Sequence, residues 1–180
     1  MKSTVRTTRL VKMAMMVAVS CVLLLLIRIQ FPPAPFLVYD PADVPIFITT
    51  FAFGPAAGML VTVVVSLLQA FVLGGDGIYG CLMHIIATGT FVIIAGNLYK
   101  KNKTRKGALV AMIIGVIAWV IMMCVANYFI TPLFMGTTHE VVLGMILPII
   151  IPFNLLKAGI NAAITFVLYK RISGFMHKNS

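Results

Sequence analysis

Long apolar runs alternate with short polar breaks along this chain, and the lengths of the runs set the scale of the fold. Stretches over residues 10–28, 81–99, 108–130 and 148–169 are each near the ~20 residues that an α-helix needs to cross a bilayer. Two shorter apolar pieces, 45–53 and 56–73, are divided by Gly54-Pro55. The stretch Phe31-Pro-Pro-Ala-Pro35 cannot continue a helix and favours extended chain. Residues 29–43 are therefore expected to form an ordered but non-helical loop. Gly74-Gly-Asp-Gly77 reads as a turn. Residues 131–147 hold Pro, Gly and the only Glu, and read as a loop with a partly apolar surface.

Composition fixes the solvent. Of 180 residues, 61% are hydrophobic and 10% charged, against about 25% charged in a soluble domain. The chain is expected to be an all-α integral membrane protein, one transmembrane domain over residues 1–180, with no hydrophilic stretch long enough for a soluble catalytic module. The first run is long for a signal-peptide core and no small-x-small site follows it, so it is expected to remain as the first helix. Cys21, Cys81 and Cys124 form no CxxC pair and read as small buried hydrophobes.

The net charge of +10 changes the picture through its placement. Basic residues fall in three clusters that flank apolar runs: Lys2, Arg6, Arg9 and Lys12; Lys100, Lys101, Lys103, Arg105 and Lys106; Lys170, Arg171 and Lys178. That is the pattern of cytoplasmic segments, not of a nucleic-acid patch. Residues 43–73 are fewer than the ~40 that two full crossings need. Yet only six crossings put all three clusters on one side, and Asp40, Asp43, Asp76 and Glu140 on the other. The expectation is a six-helix bundle with both termini cytoplasmic and a short or irregular second helix. Such a helix is tolerated at membrane depth where it lines a cavity or hides behind neighbours.

Two basic residues leave the clusters. Arg28 ends the first helix, where it can snorkel to the interface or pair with Asp40 or Asp43. Lys157 lies roughly nine residues, on the order of 14 Å, below the outer end of the last helix. With no intramembrane acid expected at that depth, it must face a cavity or a partner. Asn154 and Asn161 share its helix face at i−3 and i+4. Asn154 with Lys157 points to ligand contact, and Asn161 to helix–helix adhesion. Asn127 is either a cap or a site residue. His84 and His139 lack metal spacing and read as structural. Ala14 and Ala18 form a small-xxx-small pair, and Gly54, Ala57 and Gly58 another small patch; each is either ordinary packing or a docking face. The chain has no Walker A motif, no HExxH and no paired intramembrane carboxylates, which suggests a capture subunit without its own energy source.

The segments Tyr39-Asp-Pro-Ala-Asp-Val-Pro45, Phe53-Gly-Pro-Ala-Ala-Gly58, Asn127-Tyr128 with Thr131-Pro132, and Pro152-Phe-Asn-Leu-Leu-Lys157 with Asn161 resemble the riboflavin-specific substrate-binding (S) components of energy-coupling factor transporters. The resemblance implies a six-helix bundle in the bacterial plasma membrane that captures riboflavin from outside. It implies Asn127, Asn154 and Lys157 as ligand contacts, with Tyr39 and Asp40 from the aspartate-proline segment, and no cofactor. It also implies docking through the Ala14–Ala18 face onto a transmembrane coupling subunit served by two cytoplasmic ATPases. The other readings are an S component for another vitamin or precursor, such as pantothenate or a pyrimidine, a structural membrane protein without a ligand, and a membrane enzyme.

Overall fold

The structure, a computed structural model, describes residues 2–74 and 77–177, with side chains described over 6–74 and 77–169. Asp76 and Lys178 lie outside the described residues, as do the side chains of Lys2, Lys170 and Arg171.

Helix α1 (Lys2–Leu26) makes the first crossing. The proline-rich segment that follows is extended, as expected, and folds into an antiparallel hairpin of β1 (Ile29–Phe31) and β2 (Ala34–Tyr39). Pro32 and Pro33 form its turn. Helix α2 (Asp43–Phe53) has 11 residues, about 17 Å at 1.5 Å per residue, which is little more than half a crossing. It is apolar on all sides and buried from Asp43 to Phe51, as a helix enclosed by others must be. Phe47 stacks on Phe91 at 3.7 Å and meets the edge of Trp119 at 6.3 Å.

Gly54, at φ 94°, breaks the chain between α2 and α3 (Pro55–Phe71), which starts on a proline. A proline suits the first helical position because its missing N–H would have had no partner there. Ala57 and Gly58 are buried, and a Cβ on Gly58 would collide with Thr50 and Val92. This small-residue patch is thus internal packing. Helices α4 (Gly77–Lys101) and α5 (Arg105–Met135) form a long pair, with the Thr104 side chain capping the start of α5.

Much of the loop expected over residues 131–147 is helical. Helix α5 runs through Pro132 to Met135 and stops at Gly136 in the left-handed region. Pro132 has no N–H to give to the carbonyl of Tyr128 four residues earlier. The ring of His139 takes that carbonyl instead, with Nδ1 at 2.9 Å. After Thr138, α6 (His139–Met145), a π-helical turn (Ile146–Ile150) and α7 (Ile151–His177) form one continuous final crossing.

Contacts at the two ends fix the number of crossings. At one end Arg9 Nη2 donates to Phe53 O at 2.9 Å and covers the Phe53 ring. There Phe51 also meets Tyr99 and Tyr169, and Arg105 lies over Phe166. The elements carrying the three basic clusters therefore gather at this end. At the other end Arg28 Nη1 donates to Gly74 O at 3.0 Å, and Phe134 meets Phe36 and Tyr79. Arg28 thus holds the α3–α4 turn and pairs with neither Asp40 nor Asp43.

Candidate functional site

The site is built from the stripe on α7 and from the chain that enters α2. Because α2 is short, its N-terminus begins at membrane depth, and the residues just before it are carried down with it. Asp40 is 1% exposed and Asp43 fully buried. Lys157 Nζ donates to Asp40 Oδ2 at 2.8 Å and to Val38 O at 3.1 Å. This corrects two expectations: the lysine has an acid at its depth, and neither Asp40 nor Asp43 faces outer water. A charged lysine in hydrocarbon is costly without a partner, and the descending loop supplies one.

Asn161 holds the base of this arrangement. Its Nδ2 donates to Asp40 O and to Asp43 Oδ2, each at 3.0 Å, and its Oδ1 accepts from Tyr39 Oη at 3.2 Å. Asp43 Oδ1 accepts from Thr88 Oγ1 at 2.7 Å and lies 3.1 Å from His84 Nε2. His84 Nδ1 in turn lies 2.7 Å from Ser66 Oγ. Asp43 also sits in the first turn of α2, where a negative charge meets the positive end of the helix dipole. Buried carboxylates are tolerated when paired in this way. Among the described residues no group of three or more His, Cys, Asp and Glu side chains could hold a metal.

Above this network is a cavity of about 820 Å³, open mouth included, within the usual range of about 300–1,000 Å³ for small-molecule sites. Its apolar lining includes Leu37, Met83, Ala87, Met123, Ile130 and Phe153, and its polar lining includes Asp40, Asn127, Asn154 and Lys157. The orientation of each amide is forced. The Trp119 indole N–H can only donate, and it meets Asn154 Oδ1 at 2.9 Å. Asn154 Nδ2 then donates to Ile150 O. The carbonyl of Met123 can only accept, so it fixes Asn127 Nδ2 at 2.8 Å, and Thr131 Oγ1 donates to Asn127 Oδ1. An amide carries two N–H donors and an ammonium three. After these bonds, Asn127, Asn154 and Lys157 each keep one N–H.

Four of the five residues expected at the site, Asn127, Asn154, Lys157 and Asp40, thus line one cavity. Tyr39 does not; its hydroxyl braces Asn161 behind the wall. Ala14 and Ala18 lie far from it, on an exposed α1 face with Val11, Met15, Val19 and Val22. Sequence reasoning missed Trp119, Thr131, His84 and Gln69 as lining residues. Trp119 is the only tryptophan, and a buried indole N–H needs an acceptor, so a partner on a facing helix could have been sought. Gln69 is the only amide in the otherwise apolar α3.

A six-crossing bundle whose cavity pairs an apolar lining with convergent N–H donors defines a membrane-embedded receptor for a small, acceptor-bearing molecule. Residues 8–169 match the family of ECF transporter substrate-specific components, and the chain belongs to that family. It is 31% identical to the riboflavin transporter RibU of Staphylococcus aureus, covering 94% of this chain and 93% of that one. It is also 31% identical to the riboflavin transporter FmnP of Bacillus subtilis, covering 91% and 90%. A solved structure of the S component of a bacterial ECF transporter superposes with a TM-score of 0.83 at 31% identity, over 96% of this chain and 99% of the other. The chain is accordingly a multi-pass bacterial membrane protein and a transporter component.

Proposed function

We propose that residues 1–180 form a single unit that captures riboflavin at the outer face of the bacterial plasma membrane for uptake by an energy-coupling factor transporter. The observation that carries this reading is the convergence of three unspent N–H donors, on Asn127, Asn154 and Lys157, in an otherwise apolar cavity. The pyrimidine end of isoalloxazine presents two carbonyls and ring nitrogens, all acceptors, to such donors. Its single N3–H meets Asp40, whose oxygens keep lone pairs after accepting from Lys157 and Ala42. Met83, Met123 and Phe153 offer the apolar surface that the dimethylbenzene end requires. Tyr39 acts through Asn161, which holds the main chain of Asp40 in place. The names of the relatives in Staphylococcus aureus and Bacillus subtilis support the same ligand.

The sequence carries no nucleotide-binding motif, so energy must come from partners: one transmembrane coupling subunit and two cytoplasmic ATPases. The exposed face of α1 around Ala14 and Ala18 suits close approach of another membrane helix. The test is a fluorescence-quenching titration of the detergent-purified protein with riboflavin. Saturable one-to-one quenching is expected. No quenching at any accessible concentration would refute the ligand. Accumulation against a gradient by the chain alone in vesicles would refute its dependence on a module.

A further inference from the structure

Among the described residues, Gln69 Oε1 is the buried side-chain polar atom left without a hydrogen-bond partner. The buried polar groups around it are satisfied: Asp40, Asp43, Asn127, Asn154 and Asn161 each have partners. A native protein keeps an unpaired buried acceptor where something else completes it. Gln69 lines the cavity, in the last turn of α3. Beside it the Arg28 side chain, also on the lining, holds the Gly74 carbonyl of the α3–α4 turn. This is the mouth of the cavity, and α3 packs on α1, α2 and α4, whereas the three N–H donors stand on α5 and α7.

The two walls have different chemistry. The α5–α7 wall has its amide oxygens occupied and presents N–H groups, which suit carbonyls. Gln69 presents an unfilled carbonyl oxygen, which needs an O–H or N–H from the ligand. A group at the mouth that supplies such a donor is a hydroxyl. We infer that Gln69 forms the subsite for the polyhydroxyl tail of the ligand, accepting from a ribityl hydroxyl while the ring edge is held at the opposite wall. This rests on the riboflavin reading and extends it. The ribityl chain leaves the long side of the ring system, not its pyrimidine end. A ring seated against Asn127, Asn154 and Lys157 therefore sends its tail toward a different wall.

The test compares riboflavin with lumiflavin, which has the same ring and a methyl group in place of the tail. Gln69→Met keeps the side-chain length and removes its polarity. By quenching titration, Gln69→Met should weaken riboflavin about 5- to 100-fold, the range for a lost buried hydrogen bond, and leave lumiflavin within about twofold of the parent. The ligand-free variant should be at least as heat-stable as the parent, because an unpaired buried acceptor has gone. Unchanged riboflavin affinity overturns the inference, as does an equal loss for both flavins, which would make Gln69 a ring-contacting or scaffold residue. A less stable ligand-free variant also overturns it, by showing that Gln69 has a partner in the empty protein. If the parent binds neither flavin, the riboflavin reading itself falls and this inference with it.

Discussion

Replacing Lys157 with methionine tests the buried pair at the centre of the site. Lys157 and Asp40 are 9% and 1% exposed and meet at 2.8 Å. Lys157→Met keeps the length of the stem but leaves the Asp40 carboxylate with one remaining neutral donor, the backbone N–H of Ala42 at 3.1 Å. Breaking a buried pair from one side costs about 3–5 kcal/mol, because the stranded charge stays desolvated. That is roughly a 10²- to 10⁴-fold change in the unfolding equilibrium. The partner change Asp40→Asn keeps an acceptor for Ala42 and removes the negative charge. The double variant should regain most of the stability lost by Lys157→Met, with a coupling of at least about 2 kcal/mol. Equilibrium unfolding of the ligand-free protein in mixed detergent micelles, run as a double-mutant cycle, measures this. The reasoning fails if Lys157→Met is as stable as the parent, or if the coupling falls below about 0.5 kcal/mol, the level found for sites that do not interact. The sequence alone predicts the opposite sign, since a lysine without an acid is a liability that methionine would relieve.

Asn161→Leu should cost stability more than ligand affinity, because it takes a donor from Asp43 and from the main chain of Asp40, at about 1–3 kcal/mol for each orphaned acceptor; thermal unfolding alongside a riboflavin titration separates the two effects. Ala14→Leu and Ala18→Leu lie on the exposed side of α1 and should leave ligand binding by the isolated chain within about twofold while abolishing uptake in vesicles that hold the complete transporter. Equal loss of binding and uptake would make these alanines internal packing.

The crossings were legible because lipid and charge leave a coarse record. The basic clusters are short and well separated, and they demand six passes even though residues 43–73 are too few for two ordinary helices. The stripe of Asn154, Lys157 and Asn161 was legible from helical spacing alone. The depth of Asp40 was not. In sequence it follows a proline-rich segment that looks like surface loop, and only a helix that starts half-way down carries it beneath the surface. Helix α5 hid its true end for a related reason. Pro132 looks like a terminator until a ring seven residues later occupies the carbonyl it leaves free, a tertiary event that no local pattern encodes. Trp119 escaped for want of a known partner, since an apolar helix reads the same whether its tryptophan faces lipid or an asparagine.

The π-helical turn Ile146–Ile150 has a bearing on how this last crossing can vary. There the N–H of Ile151 reaches Ile146 O, five residues back, so the helix carries one residue more than an α-helical turn would hold. It acts as a phase shift between two registers. Below it, the face carrying Asn154 and Lys157 is set toward the cavity. Above it, Val142 is buried and His139 reaches Tyr128. One residue is about 100° of rotation at 3.6 residues per turn. Deleting any single position from 146–150 would close the turn into ordinary α-helix and put the two halves about 100° out of step, so that either the stripe on α7 or the contact that completes Pro132 is lost. Substitutions are tolerated there so long as the count is kept, and the length of this short stretch is under tighter constraint than its side chains.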